Sequence, residues 1–304
     1  MTESSSPSPW ISRGTRMGLI VAIPDTAVED CSDLRQKTVK LGQLARAFAI
    51  FKVERVVVYS TGTDHPRVTR DRELIAKILR YMDTPQYLRK QLFPRSSSLK
   101  YAGLLPPLRT RSHPLNKESE PLQEGDVRWG VLDQMGSVDV GLDRLMRCES
   151  RLDRQTLYLF RIMNTRPEPT VEVIDRDDVG IYWGFEVGVV TNLIKYLGDM
   201  HDYTRVVFSR NGGPFKRIER DLMATVMGTN DLLAVFGSPE QGVAEIFHNQ
   251  RDLLKGNVEF WINTVPDQGT ETVRLEEALT VSLGLLNNSL GDLITRPGFY
   301  AKSK

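Results

Sequence analysis

The chain has 304 residues, with 40 Lys+Arg against 39 Asp+Glu and a formal net charge of +1. Its 40% hydrophobic and 26% charged residues are those of an ordinary folded protein, which excludes a disordered chain, a collagen-like repeat and a disulfide scaffold. The balanced charge excludes nucleic-acid binding by bulk charge alone, yet leaves room for a local basic face.

Residues 1–16 are rich in Ser and Pro and lack an apolar run, so they read as a flexible tail and not a signal peptide. Met17 to Ile23 (MGLIVAI) is a continuous apolar run closed by Pro24, the pattern of a buried strand. Asp30-Cys31-Ser32-Asp33 has N-cap chemistry, and apolar positions then recur at helical spacing at Leu34, Leu41, Leu44, Ala45, Phe48 and Phe51. Arg55 to Ser60 is a second buried strand. Strand, long helix, strand is a βαβ unit, so the expected platform is a parallel sheet. Asp71 to Gln91 predicts a further helix, broken at Pro85.

The texture changes near Phe93. Between Pro85 and Lys117 stand seven cations (Arg89, Lys90, Arg95, Lys100, Arg109, Arg111 and Lys117) and no Asp or Glu, interleaved with Tyr87, Phe93 and Tyr101. Between Glu118 and Gly180 the balance reverses, with fourteen acids against eight Arg. This acidic stretch contains five short strand-like pieces: Val127 to Leu132, Ser137 to Leu142, Leu145 to Glu149, Thr156 to Ile162 and Thr170 to Ile174. Their regular spacing predicts a small barrel, the OB type being one form. Residues 96–179 are therefore expected to be an inserted barrel, with 17–95 and 180–304 together forming a discontinuous α/β domain.

Beyond the insertion, Trp183 to Tyr196 predicts a helix, Arg205 to Phe208 a strand, Gly212-Gly213-Pro214 a turn and Phe215 to Met227 a helix. Leu232 to Phe236 is a strand running into Gly237-Ser238-Pro239, and Val243 to Phe247 starts a short helix. Val258 to Ile262 is a strand running into Asn263-Thr264-Val265-Pro266-Asp267-Gln268-Gly269-Thr270. Leu275, Ala278, Leu279, Ser282, Leu283 and Leu286 mark an amphipathic last helix.

Several chemistries are missing from the sequence. There is no GxGxxG after a strand, no P-loop, no HExxH and no GxSxG. The four His are scattered, so no metal site is expected. The two cysteines, Cys31 and Cys148, form no CxxC, which favours a reducing, cytoplasmic setting. No apolar run approaches a membrane span. What remains is the pair of Gly- and Pro-containing loops at strand ends, where open parallel sheets bind ligands. Gly lets backbone approach a ligand and Pro fixes the bend. On spacing alone, ordinary strand-to-helix loops are the favoured explanation, since Gly and Pro punctuate most loops.

The segment INTVPDQGTETVRLEEALTVSLGLL (Ile262 to Leu286) resembles the C-terminal knot of the SPOUT, or α/β-knot, RNA methyltransferases. LRQKTVKLGQLARAFAIFKVERVVVY (Leu34 to Tyr59), YLRKQLFP and LKYAGLLPPL (Tyr87 to Leu108) and GIYWGFEV (Gly180 to Val187) narrow the resemblance to its archaeal and eukaryotic branch with an OB-like insertion. The resemblance implies a trefoil knot at the C-terminus, S-adenosylmethionine as methyl donor and a homodimer. By position it implies a donor site made of Phe236, Gly237, Ser238 and Pro239, then Asn263, Thr264, Val265, Pro266, Gln268 and Gly269, then Thr272, Val273 and Arg274.

Glu276 or Glu277 is expected to place charge near the donor, and Arg35 or Arg274 to orient RNA phosphate or the acceptor base. Two Glu in a first helical turn are also favoured by the helix dipole alone. With the resemblance, Lys90, Arg95, Lys100, Arg109 and Arg111 are the expected RNA contacts, since cations among aromatic rings suit phosphate pairing with base stacking; on composition alone a solvated linker is the preferred reading. Ribosomal RNA methylated at a base nitrogen, such as uridine N3, is the implied reaction. The alternatives are a non-catalytic RNA-binding or ribosome assembly factor that keeps the fold, and an adenosine-nucleotide enzyme of ordinary Rossmann type, against which the missing glycine fingerprint counts.

Overall fold

The structure, a computed structural model, describes residues 18–114, 123–133, 135–229 and 231–291. Two sheets organise it. The larger has six strands: β1 (Leu19–Pro24), β2 (Arg55–Tyr59), β8 (Glu186–Val190), β9 (Thr204–Pro214), β10 (Leu232–Phe236) and β11 (Phe260–Asn263). They lie in the order β11-β9-β10-β1-β2-β8, and every pairing is parallel.

Alternation along these strands divides the core into two faces. Leu19, Val21, Ile23, Val56 and Val58 pack on one side with α1 (Leu34–Ile50), α2 (Pro66–Asp83), α5 (Phe215–Thr229) and α8 (Leu275–Leu290). Ile20, Ala22, Val57 and Tyr59 pack on the other with α4 (Leu193–Asp199), α6 (Val243–Ile246) and α7 (Arg251–Gly256). Strands buried on both faces must be apolar throughout, which is why β1 and β10 read as unbroken hydrophobic runs.

α1 starts where its cap chemistry predicts, with the Asp33 side chain accepting from the Gln36 N–H at 2.8 Å. α2 begins at Pro66, before the predicted Asp71, because His65 caps it and Pro occupies its first turn. It ends at Thr84-Pro85, and α3 (Gln86–Leu92) follows.

The smaller sheet has the order β4-β3-β6-β7-β5, from β3 (Val127–Leu132), β4 (Val138–Asp139), β5 (Arg147–Cys148), β6 (Tyr158–Asn164) and β7 (Thr170–Ile174). A bridge between Val138 and Met146 brings its two edges together, so the sheet is nearly closed into a barrel. Trp129 and Leu159 face Leu88 and Trp183, which joins this sheet to the chain on either side of it.

Two sequence expectations are corrected. Trp183 to Tyr196 is not one helix: it holds strand β8, which pairs with β2, and only then α4. The β-branched Val187, Val189 and Val190 prefer an extended pleat, and Asn192 caps the helix at its true start. Gly212-Gly213-Pro214 is not a turn but the end of β9, laid beside β11. A Cβ at Gly212 would come within 2.6 Å of the Ile262 backbone, so the glycine is there for close strand contact.

Candidate functional site

β9, β10 and β11 end at the same edge of the large sheet, and the loops that follow β10 and β11 enclose a cavity of about 140 Å³ against α8. Its floor is apolar: Phe208 and Phe236 stack with centroids 4.8 Å apart, beside Ile262, Leu275 and Ala278. The Tyr59 hydroxyl, fully buried, donates to the Phe236 carbonyl at 2.7 Å and pins the last residue of β10.

Each loop is shaped by its own hydrogen bonds. Ser238 N–H donates to the Gln241 carbonyl at 2.8 Å, while Ser238 Oγ accepts from the Gln241 N–H at 2.9 Å, folding 238–241 into a tight turn. Gly237 has no room for a side chain, since a Cβ would lie 2.5 Å from the Gln241 carbonyl. After β11, Asn263 Oδ1 accepts from the Val265 N–H at 2.9 Å and Nδ2 donates to the Arg210 carbonyl at 2.8 Å. Thr264 Oγ1 and the buried Ser282 Oγ are 2.8 Å apart, tying this loop to the middle of α8. Gln268 Nε2 donates to the carbonyls of Thr270 and Glu271 at 2.9 and 3.0 Å.

Of the residues expected around a donor, Phe236, Gly237, Ser238, Pro239, Asn263, Thr264, Val265, Gln268, Thr272 and Val273 line this cavity. Pro266, Gly269 and Arg274 are not among its lining residues, and all three are exposed. The sequence reading missed Phe208, Arg210, Glu240, Gln241, Glu245 and Glu271. Glu240 and Gln241 belong to the loop already singled out, so a wider window would have included them. Phe208 and Arg210 come from β9, whose role shows only once its place beside β10 is known.

The residues expected to act are placed as follows. Arg35 is exposed on the first turn of α1, and Arg274 is exposed at the start of α8. Glu277 caps α8, its carboxylate accepting from the Arg274 N–H at 3.0 Å. Glu276 points to the buried Lys40, whose Nζ lies 3.2 Å away, and Lys40 also reaches Asp30 at 2.7 Å. Cys31 sits beside this group, and burial pushes its thiol up to about 11, which leaves it protonated and unreactive at neutral pH. Lys90, Arg95, Lys100, Arg109 and Arg111 are all exposed, with the Lys100 ammonium 5.3 Å from the Tyr101 ring centre, and none of them lines the cavity. Among the described residues no group of three or more His, Cys, Asp or Glu could hold a metal ion, and no helix is long and apolar enough to cross a membrane.

Residues 18–286 match the sequence model of the family described as "Putative RNA methyltransferase". The chain belongs to this RNA methyltransferase family. It is 31% identical over 293 residues to an uncharacterized protein of Halobacterium salinarum, covering 88% of this chain and 97% of that one. It is 28% identical over 322 residues to the 28S rRNA (uridine-N(3))-methyltransferase of Mus musculus, covering 94% and 80% respectively. The human protein of the same name is 28% identical over 309 residues, covering 91% and 80%. Membership makes the chain an enzyme that methylates RNA, and the match spans both sheets.

Proposed function

We propose that the protein transfers a methyl group from S-adenosylmethionine to a base nitrogen of ribosomal RNA, with uridine N3 as the acceptor. The observation that carries the reading is the cavity made by the loops after β10 and β11 in a chain of this family. The names of the mouse and human relatives support the acceptor.

The residues present suit the donor in kind. The Phe208, Phe236 and Leu275 floor offers an apolar bed for a purine, and backbone groups of 237–242 and 264–273 offer donors and acceptors to its edge and to a ribose. Glu240, Glu245 and Glu271 suit a molecule with a net positive charge. The cavity of about 140 Å³ is smaller than the roughly 300–1,000 Å³ of most small-molecule sites, so in this reading the two loops part to admit the donor. When bound, the donor supplies a methyl group already activated on a sulfonium.

The protein's own tasks are to align the acceptor and to exclude water. In this reading exposed Arg35 and Arg274 meet the RNA backbone, and Lys40 holds Glu276, and with it the start of α8, against the β1–α1 loop. The basic stretch from Lys90 to Arg111 grips a single strand through phosphates and rings, next to the small barrel, which we read as an OB-like insertion spanning 96–179. We read α8 as drawn through the preceding loops in a SPOUT trefoil knot, an exception to the usual unknotted chain, and the protein as a homodimer. The Thr264–Ser282 bond and the packing of α8 on α1 support that path.

The test is transfer of a labelled methyl group from S-adenosylmethionine to total RNA from cells lacking the gene, followed by mapping of the label. The reading expects N3-methyluridine at a defined ribosomal position. Donor binding with no labelled RNA would instead make the chain a non-catalytic RNA-binding or assembly factor.

A further inference from the structure

The charge around the cavity is unbalanced. Glu240, Glu245 and Glu271 line it, and Arg210 is the lone Lys or Arg among its described lining residues. The Arg210 guanidinium lies 3.9 Å from Glu245 and so offsets one of the three acids. Neither Glu240 nor Glu271 has an ion-pair partner among the described residues.

A fourth carboxylate stands behind the same wall. Glu29 Oε1 is buried without a hydrogen-bond partner. Burial raises the Glu29 pKa and the Glu240 and Asp30 charges raise it further, while hydrogen bonds from the Ser238 hydroxyl and the Glu240 backbone lower it in part. Two acids thus flank Ser238, Glu240 on the cavity side and Glu29 outside the cavity lining.

We propose, resting on the donor site read above, that Glu240 and Glu271 make this cavity select by charge, favouring the sulfonium donor over the thioether left after transfer. Transfer breaks the methyl carbon–sulfur bond and leaves its electron pair on sulfur. The acceptor nitrogen's lone pair forms the new carbon–nitrogen bond, and its N–H proton passes to water. Sulfur alone loses a positive charge, while the amino and carboxylate groups of the cofactor are unchanged. The acids that attract the incoming donor therefore lose their hold on the spent one, and product release is built into the wall.

The experiment is calorimetry of the full chain with S-adenosylmethionine and, separately, S-adenosylhomocysteine, at low and high salt. The variants are Glu240→Gln, Glu271→Gln and the pair together, each checked for an unchanged thermal unfolding midpoint. Glu245 is left alone because its carboxylate accepts from the Gly242 N–H at 2.8 Å and shapes the loop. The native chain is expected to prefer the donor by about three- to tenfold, the scale of a few partly exposed charges. The double variant should bring the ratio near one through weaker donor binding, and salt should narrow it in the native chain. Equal affinities in the native chain, or a ratio unmoved by the double substitution, overturns the charge proposal while leaving the donor site standing. Binding of neither compound overturns the donor site itself, and the charge proposal with it.

Discussion

Lys40 Nζ lies 3.2 Å from the Glu276 carboxylate and 2.7 Å from that of Asp30, so one buried ammonium joins the loop after β1 to the first turn of α8. Lys40→Met removes the cation and leaves two partly buried carboxylates facing each other. The loss should be about 2–4 kcal/mol of stability, because stripping one partner from a buried ion pair strands the other. Urea unfolding measures it, and Lys40→Met combined with Glu276→Gln should recover part of the loss.

Gly237→Ala should cost donor affinity more than stability. The added methyl meets the Gln241 carbonyl at 2.5 Å, within the turn that walls the cavity and away from the strand core. A tenfold or larger fall in S-adenosylmethionine affinity by calorimetry, with an unfolding midpoint within a few degrees, is the expected result. Tyr59→Phe is the contrasting case. It deletes a buried hydrogen bond to the Phe236 carbonyl, should cost about 1–2 kcal/mol, and should weaken donor binding less.

Much of this was legible in the sequence. The strands β1, β2 and β10 were found almost to the residue, because burial on both faces demands unbroken apolar runs. The two loops of the cavity were visible as Gly and Pro at strand ends. What stayed hidden depends on pairing partners. β8 looked helical because the Val187–Val190 pattern acquires meaning only beside β2. Gly212 looked like a turn because its neighbour, Ile262, lies fifty residues on. Lys40 carries no local signal of its role, since neither Asp30 nor Glu276 is brought to it until the chain folds.

His113 gives the fold an acid-side weakness. It is buried, its Nδ1 lies 2.7 Å from Thr110 Oγ1 and its Nε2 2.9 Å from the Met82 carbonyl, an arrangement that suits the neutral ring. Burial holds its pKa below the ordinary value, so the unfolded chain takes up the proton first. Its contribution is fully present above about pH 6.5 and is lost as pH falls toward the lowered folded value. Stability measured by urea between pH 5 and 7.5 should slope downward toward acid, and His113→Gln should flatten that slope.

The basic stretch should act on RNA and not on the donor. Reversing charge at Arg95, Lys100, Arg109 and Arg111, all exposed, should weaken RNA binding and reduce the salt slope, by roughly one for each phosphate no longer neutralised. S-adenosylmethionine affinity should stay within twofold. Filter binding across a salt series, with calorimetry alongside, separates the two effects.

The most direct measurement is a crystal structure of the full chain grown with S-adenosylmethionine. The expected result is the donor seated between the 237–242 and 264–273 loops, its adenine over Phe208 and Phe236 and its sulfur on the side of Glu240 and Glu271. A donor bound elsewhere on the molecule, or an unoccupied cavity under saturating donor, would contradict it.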